Sequence, residues 1–325
     1  MSSGDGARVG ERRHRWSVMR DFSLILATVG RTIEINRLFD SLLVQTFPDF
    51  EVIVVDQNQD ERLMPIVHRA RCLGLAIRHL YHSPPNLALA RNAGIAKASG
   101  QWLGFPDDDC WYEPHTLERI RLRSRHRDRP QGIISRWVEQ DEALPPGLLS
   151  WHRSSRFRDI PVSSITLFFQ RSLIDKIGGF DGRLGVGQWF GAGEETDLIL
   201  RALRANARVA HEPDARVHHR VDPPQLAVSR SALQSVRLRA RGTGAMYAKH
   251  RLPAWVIARG LLSPLLKQVC RISSAQRLGQ HLVHGYAITR GRLDGWLGWW
   301  LRHGREPLWQ THASPVSASR LSRRR

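Results

Sequence analysis

Three consecutive carboxylates, Asp107-Asp108-Asp109, are the sharpest chemical feature of the chain. Adjacent carboxylates repel one another unless a cation neutralises them. On an extended segment residues i and i+2 face the same side, so Asp107 and Asp109 are expected to converge on one ion. Hard oxygen donors suit Mg²⁺ or Mn²⁺, which would also grip a diphosphate. The plain alternative is a solvated acidic turn. The other metal-ligating types offer nothing comparable. His68, His79, His82 and His211 have no ligand-like spacing, and Cys72, Cys110 and Cys270 are too scattered for a zinc site or a disulfide framework.

The elements around the triplet alternate. Residues 22–27 and 50–55 are apolar runs that predict buried strands, the second ending at Asp56. Weaker runs at 76–81 and 102–105 predict two more, the last leading into the triplet. Between them, residues 32–45, 62–73 and 87–98 have helical spacing. Strand and helix in this rhythm predict a mostly parallel sheet with helices on both faces. Ligands of such sheets bind at the carboxyl ends of the strands, where Thr28, Asp56 and the triplet all fall. Farther on, strands are expected at 132–138 and 162–169, a polar loop at 141–158 and a helix at 194–204. Val217-His218-His219 is expected to end the globular region. Residues 185–193 carry four glycines around Trp189 and Phe190. Such a loop can move, and Trp189 is a candidate stacking surface for an acceptor or, equally, an anchor to the core.

Residues 41–56, from Ser41 through Gln45 to Asp56, resemble the signature of family 2 glycosyltransferases, enzymes of the GT-A fold. Asn86-Leu87-Ala88-Leu89-Ala90-Arg91-Asn92-Ala93-Gly94 resembles that family's next motif. The triplet stands where the family carries its metal-binding Asp-x-Asp, and Gly193-Glu194-Glu195-Thr196-Asp197 resembles the motif that supplies its base. The resemblance covers about residues 22–220 and implies roles. Thr28, Arg31, Asp56, Arg91, Asn92, Asp107 and Asp108 would form the site for a nucleotide-diphospho-sugar. Asp107, Asp109 and His219 would lie at the Mg²⁺ or Mn²⁺. Glu195, with Glu194 as the alternative, would deprotonate the acceptor hydroxyl. The dipole of the helix that these two glutamates open is expected to keep Glu195 ionised. Asp197 needs no more than the same helix-start preference. The departures are Gln57-Asn58-Gln59 after Asp56, Cys110 after the triplet, and Glu195 in place of the usual Asp.

Hydrophobic residues make up 42% and charged residues 24%, which excludes disorder for the bulk of the chain. The formal charge is +19, with 49 Lys+Arg against 30 Asp+Glu. Residues 221–325 carry 18 of the basic and 3 of the acidic residues, a net +15. Three regions are expected: a flexible basic lead-in at 1–20, a GT-A domain at 21–220, and a basic helical extension at 221–325 with a disordered tail. Trp296, Trp299, Trp300 and Trp309 beside Arg302 and Arg305 have the composition of a membrane interface; a packed subdomain would explain the apolar faces equally well. No stretch is apolar enough to span a bilayer. The expectation is therefore a cytoplasmic inverting, metal-dependent glycosyltransferase of polysaccharide or glycoconjugate assembly, peripheral on the inner face of the plasma membrane. It would use a glycan or lipid-linked acceptor and bind an anionic membrane surface but no nucleic acid. The competing reading is a catalytically silent relative that binds nucleic acid or membrane through its charge.

Overall fold

The first two strands are buried along their whole length because helices cover the sheet on both sides. β1 (Phe22–Thr28) and β2 (Phe50–Asp56) are fully buried and pair in parallel from Phe22 opposite Phe50 to Thr28 opposite Asp56, so they end level. Alternation divides their side chains between two cores. Phe22, Leu24, Leu26, Val52 and Val54 face α1 (Ile33–Leu43) and α2 (Met64–Cys72), whereas Ile25, Ala27, Ile53 and Val55 face the opposite layer. β3 (Ile77–Tyr81) extends the sheet beyond β2. α3 (Leu87–Ile95) then returns the chain to β4 (Trp102–Gly104), parallel to β1 on its other side. The computed structural model describes residues 20–140, 147–155, 163–220, 229–270 and 275–304. The basic lead-in before residue 20, Trp309, Arg305 and the tail at 320–325 lie outside these.

Beyond β4 the sheet is mixed. β5 (Cys110–Tyr112) follows the acidic triplet, and α4 (Thr116–Ser124) leads to β6 (Gly132–Trp137). β7 (Gly147–Leu148) and α5 (Trp151–Ser154) are short. The strand expected at 162–169 divides into a 3₁₀ turn, Ser164–Thr166, and β8 (Leu167–Gln170). α6 (Arg171–Ile177), α7 (Glu194–Arg204) and β9 (Val209–His219) complete the domain. The order is β3-β2-β1-β4-β8-β6-β9-β5, with β7 beside β9. The first four strands are mutually parallel. β8 runs antiparallel to β4 and β6, and β9 antiparallel to β5. Sequence reading missed β5 and all of β9 except its end. β9 holds Pro213, which interrupts any strand pattern; the pairing with β6 slips there, from Ser135 opposite Glu212 to Arg136 opposite Arg216.

The C-terminal helices α8 (Arg230–Lys249), α9 (Ala254–Cys270) and α10 (Ala275–His303) pack on this unit. α8 and α10 approach so closely that a Cβ on Gly244, Gly291 or Gly295 would overlap the other helix's backbone. Trp299 is buried with Leu184, Phe190, Ala245 and Met246, and Trp296 and Trp300 pack against that cluster. This corrects the interface reading of these tryptophans: they face inward and join the extension to the sheet domain.

Candidate functional site

Thr28 and Asp56 stand side by side at the ends of β1 and β2, and β1–β4 register brings the triplet to them. Phe22 lies opposite Trp102, and the same offset of 80 residues places Asp108 level with Thr28. The Thr28 hydroxyl donates to Asp108 at 2.6 Å. The chain turns at Asp108 and Asp109 instead of running extended, with the Cys110 amide on the Asp107 carbonyl. The alternation expected of a strand therefore fails, and Asp107 and Asp109 take different partners. Asp107 accepts from Arg91 at 2.8 Å and from the Ser164 hydroxyl at 3.1 Å. Asp109 pairs with Arg31 at 2.6 Å and with His219 at 2.9 Å. Arg31 also reaches Asp108. Arg31 and Arg91, with His219, thus supply the positive charge beside the three carboxylates. Burial works against the charge of Asp109, yet His219 and Arg31 hold its pKa below the usual carboxylate value. Asp108 is more deeply buried, and burial prevails: its pKa is raised although Thr28 and Arg31 oppose the shift.

His219 is positioned by the β5–β9 pairing, which sets it opposite Cys110. Its edge-on contact with Trp137 fixes the ring, and its Nδ1 is buried without a hydrogen-bond partner. Its bond to Asp109 raises its pKa. Among the described residues no three side chains of ligating type converge. Of the expected trio of Asp107, Asp109 and His219, Asp109 and His219 are in direct contact at 2.9 Å. One carboxylate and one imidazole fit a divalent cation whose remaining positions go to phosphate oxygens and water.

Asp56 is fully buried, accepting from the Asn58 amide at 2.9 Å and side chain at 2.8 Å and meeting His79 Nε2 at 3.0 Å. The unusual Gln57-Asn58 sequence thus acts locally. Asn58 braces Asp56 and accepts from the Gly30 amide at 2.7 Å, and Gln57 accepts from the Asn86 amide at 2.7 Å. Asn86 caps α3, accepting from the Leu89 amide. Two turns of α3 then orient Arg91 and Asn92. Arg91 is 1% exposed and bridges Asp107 and Glu194, the latter at 3.4 Å. Asn92, expected at the donor, holds the Phe180 backbone instead, donating to its carbonyl and accepting from its amide at 2.8 Å each.

Glu194 and Glu195 open α7 behind Gly193, whose φ of +102° is a conformation that favours glycine. Glu194 is buried, and a Cβ on Gly185 would meet its carboxyl group at 3.0 Å. Glu195 is half-buried and hydrogen-bonds to Glu194. Burial, then the neighbouring Glu194 charge, push Glu195 up to about 8, against the pull of Arg91. Burial and the neighbouring Glu194 thus work against the helix dipole that was expected to keep Glu195 ionised. The glycine loop is anchored: Phe190 and Leu184 lie in the Trp299 cluster, and Arg302 and Arg241 lie over Trp189 at 3.7 and 4.4 Å. Trp189 is 36% exposed, and its ring is already engaged by two guanidinium groups.

Sequence reading missed a buried charge network beneath this loop. Lys249 at the end of α8 reaches Asp181 at 2.6 Å and Asp197 at 2.7 Å. His250 meets Asp197 at 2.9 Å. Arg201 pairs with Asp197 at 2.8 Å and donates to the carbonyls of Ile177, Gly178 and Gly179. Asp197 is thus held by charge partners beyond the helix-start preference expected for it. Lys249 gave no local signal because its partners lie 52 and 68 residues away and its neighbourhood reads as surface charge.

Residues 23–168 match the model of Glycosyl transferase family 2. The chain is 26% identical over 202 residues to the uncharacterized glycosyltransferase YwdF of Bacillus subtilis, covering 60% of this chain and 72% of YwdF. It is 32% identical over 131 residues to the poly(ribitol-phosphate) beta-N-acetylglucosaminyltransferase TarS of Staphylococcus aureus, covering 38% of this chain but 23% of TarS. The amylovoran biosynthesis glycosyltransferase AmsB of Erwinia amylovora is 32% identical over 108 residues, with 32% and 36% covered. YwdF apart, the chain spans about a quarter to a third of these relatives. In fold it is similar to S. aureus TarS 1–349 in complex with UDP-GlcNAc, with a TM-score of 0.55 at 15% identity over 84% of this chain and 91% of that one. It is likewise similar to the mannosyltransferase PcManGT of Pyrobaculum calidifontis in complex with GDP-Man and Mn²⁺, at TM-score 0.55 and 16% identity over 90% and 78%. These likenesses establish the GT-A architecture.

Proposed function

We propose that this chain is an inverting glycosyltransferase that moves a sugar from a nucleotide-diphosphate donor to a hydroxyl of a glycan or lipid-linked acceptor, in polysaccharide or glycoconjugate assembly. The observation that carries the reading is the meeting, at one sheet edge, of an arginine-neutralised acidic turn and a desolvated glutamate pair joined to it through Arg91. The family match to 23–168 and the nucleotide-sugar complexes of the structural neighbours support it.

Asp56 and Thr28 would border the nucleoside, and Arg31 and Arg91 the diphosphate. Asp109 and His219 would hold Mg²⁺ or Mn²⁺, which when bound supplies positive charge for the leaving diphosphate. Glu195 accepts the acceptor's hydroxyl proton as the new C–O bond forms and the bond to the diphosphate oxygen breaks on the opposite face of the sugar. One displacement inverts the centre without a covalent enzyme intermediate. The enzyme would work at the inner face of the plasma membrane, where a lipid-linked acceptor is presented.

Glu195→Gln keeps the shape and removes proton acceptance. With UDP-, GDP- and dTDP-sugars offered in turn, donor binding by thermal shift should survive while transfer falls by about 10² or more. Full transfer by this variant, with loss in Glu194→Gln, would move the base to Glu194. Full transfer by both would reject the mechanism.

A further inference from the structure

The outer face of α10 is apolar and uncovered. Val283, Tyr286, Leu293, Leu297 and Leu301 recur at helical spacing with only Arg290 among them. Val283 is 48% exposed, Tyr286 62%, Leu297 45% and Leu301 87%, the last the most exposed large apolar side chain among the described residues. The other faces of the helix are occupied. Gly291 and Gly295 press on α8, and Thr289 and Arg292 donate to the carbonyls of Leu261 and Gly260 on α9. The row between Val283 and Leu301 runs for about 27 Å at 1.5 Å per residue. No described helix is long and apolar enough to cross a membrane.

One edge of the row is cationic. Arg237, Arg290 and Arg241 gather on a single carboxylate, Asp294, at 2.5, 3.1 and 4.0 Å. Arg302 lies beyond them, exposed and stacked on Trp189. One carboxylate leaves this edge with a clear excess of positive charge. An apolar row edged by arginines is the pattern of a helix lying in a lipid interface, its aliphatic side chains among acyl chains and its cations among anionic headgroups. The same excess disfavours a second copy on this face, because two cationic edges would be brought together. The aliphatic row has nothing to offer a phosphodiester backbone.

We infer that the outward face of α10, from Val283 to Leu301, is a docking surface for an anionic lipid bilayer. It extends the membrane placement proposed above and gives that placement a face different from the tryptophans that composition suggested. It does not depend on the assignment of the base.

The test is flotation of the full chain with vesicles of phosphatidylcholine alone and of phosphatidylcholine with phosphatidylglycerol, at low and high salt. Binding is expected on the anionic vesicles and should weaken as salt rises. Leu297→Ser with Leu301→Ser leaves the charge unchanged and should weaken binding about tenfold or more, because inserted leucine area is lost. Arg290→Gln should reduce the preference for phosphatidylglycerol. Melting temperature and donor binding of both variants should match the parent, so failure here is separable from failure of the catalytic reading. The inference falls if the parent does not float with anionic vesicles, or if the serine pair floats as well as the parent. It falls also if the parent is a dimer that the serine pair dissociates, or if it binds DNA in a salt-sensitive manner and ignores vesicles.

Discussion

At the scale of single residues, the site is set by how each carboxylate is compensated. Asp109 has two cationic neighbours, whereas Glu195 has a second glutamate beside it and shares Arg91 with Asp107 and Glu194. These surroundings and burial push Glu195 up to about 8. If it is the base, kcat/KM should climb with pH and level off above about 8, since that ratio reports the free enzyme. Glu194 is the second cause of the shift after burial, so Glu194→Gln should move the rising limb to lower pH; an unmoved limb would exclude Glu195 as the titrating group. The two glutamates titrate as a pair, so the limb belongs to the pair and the variant reads their coupling. The shift has a stability counterpart of opposite sense. Between the ordinary glutamate value of 4.5 and about 8 the folded state holds a proton that the unfolded chain has lost, so Glu195 makes the fold less stable as pH rises through that window.

At the scale of elements, legibility in the sequence followed the local strength of each pattern. β1 and β2 were clear because both their faces are buried, and α1, α3 and α7 because their periodicity persists over two turns or more. β5 has three residues, and β9 mixes Pro213 with charged side chains, so neither carried a strand signal although their pairing places His219. Thr28, Asp56, Asp109 and Glu195 could be placed by motif and strand end, but their partners could not, because contacts such as Asp107–Ser164 join positions far apart in the chain. The end of α8 is the strongest case. Lys249 is 6% exposed between Asp181 and Asp197, both fully buried. Lys249→Met should cost about 3–5 kcal/mol, the range for removing one partner of a buried ion pair, as read by urea unfolding. Asp181 is held down to about 2 by Lys249 and Arg183 despite its burial. Its contribution to stability is therefore complete above the ordinary value of 3.8 and lost as pH falls toward about 2. Lys249→Met should raise the midpoint of acid unfolding. An unchanged midpoint and unchanged urea stability would show that Arg183, Arg201 and His250 suffice.

At the scale of the whole molecule, the boundary expected near residue 220 is crossed by close packing. The family match ends at residue 168, yet α7 and the loop that leads to it are held from the other side by α8 and α10. Gly191 and Gly193 lie against the α8 backbone at Leu238 and Gly242, and a Cβ on Gly242 would overlap Ala192. Arg204 on α7 donates to the His250 carbonyl at 2.8 Å. Removing residues 221–325 would uncover Leu184 and Phe190 and leave Asp181 and Asp197 without Lys249 and His250. Two apolar side chains brought into water cost about 3–6 kcal/mol together, and the broken charge network adds a penalty comparable to the stability of an ordinary domain. A fragment of residues 20–220 should therefore fail to show a cooperative melt or a donor-induced shift. A fragment of residues 20–304 keeps all three helices and should melt near the parent, bind the same nucleotide-sugar and still float with anionic vesicles. A 20–220 fragment that melts cooperatively and binds donor with parental affinity would show that the helices are an appendage. Loss of donor binding in 20–220 with retention in 20–304 would establish them as part of the framework of the proposed donor site, holding the proposed base on one side and presenting the α10 row on the other.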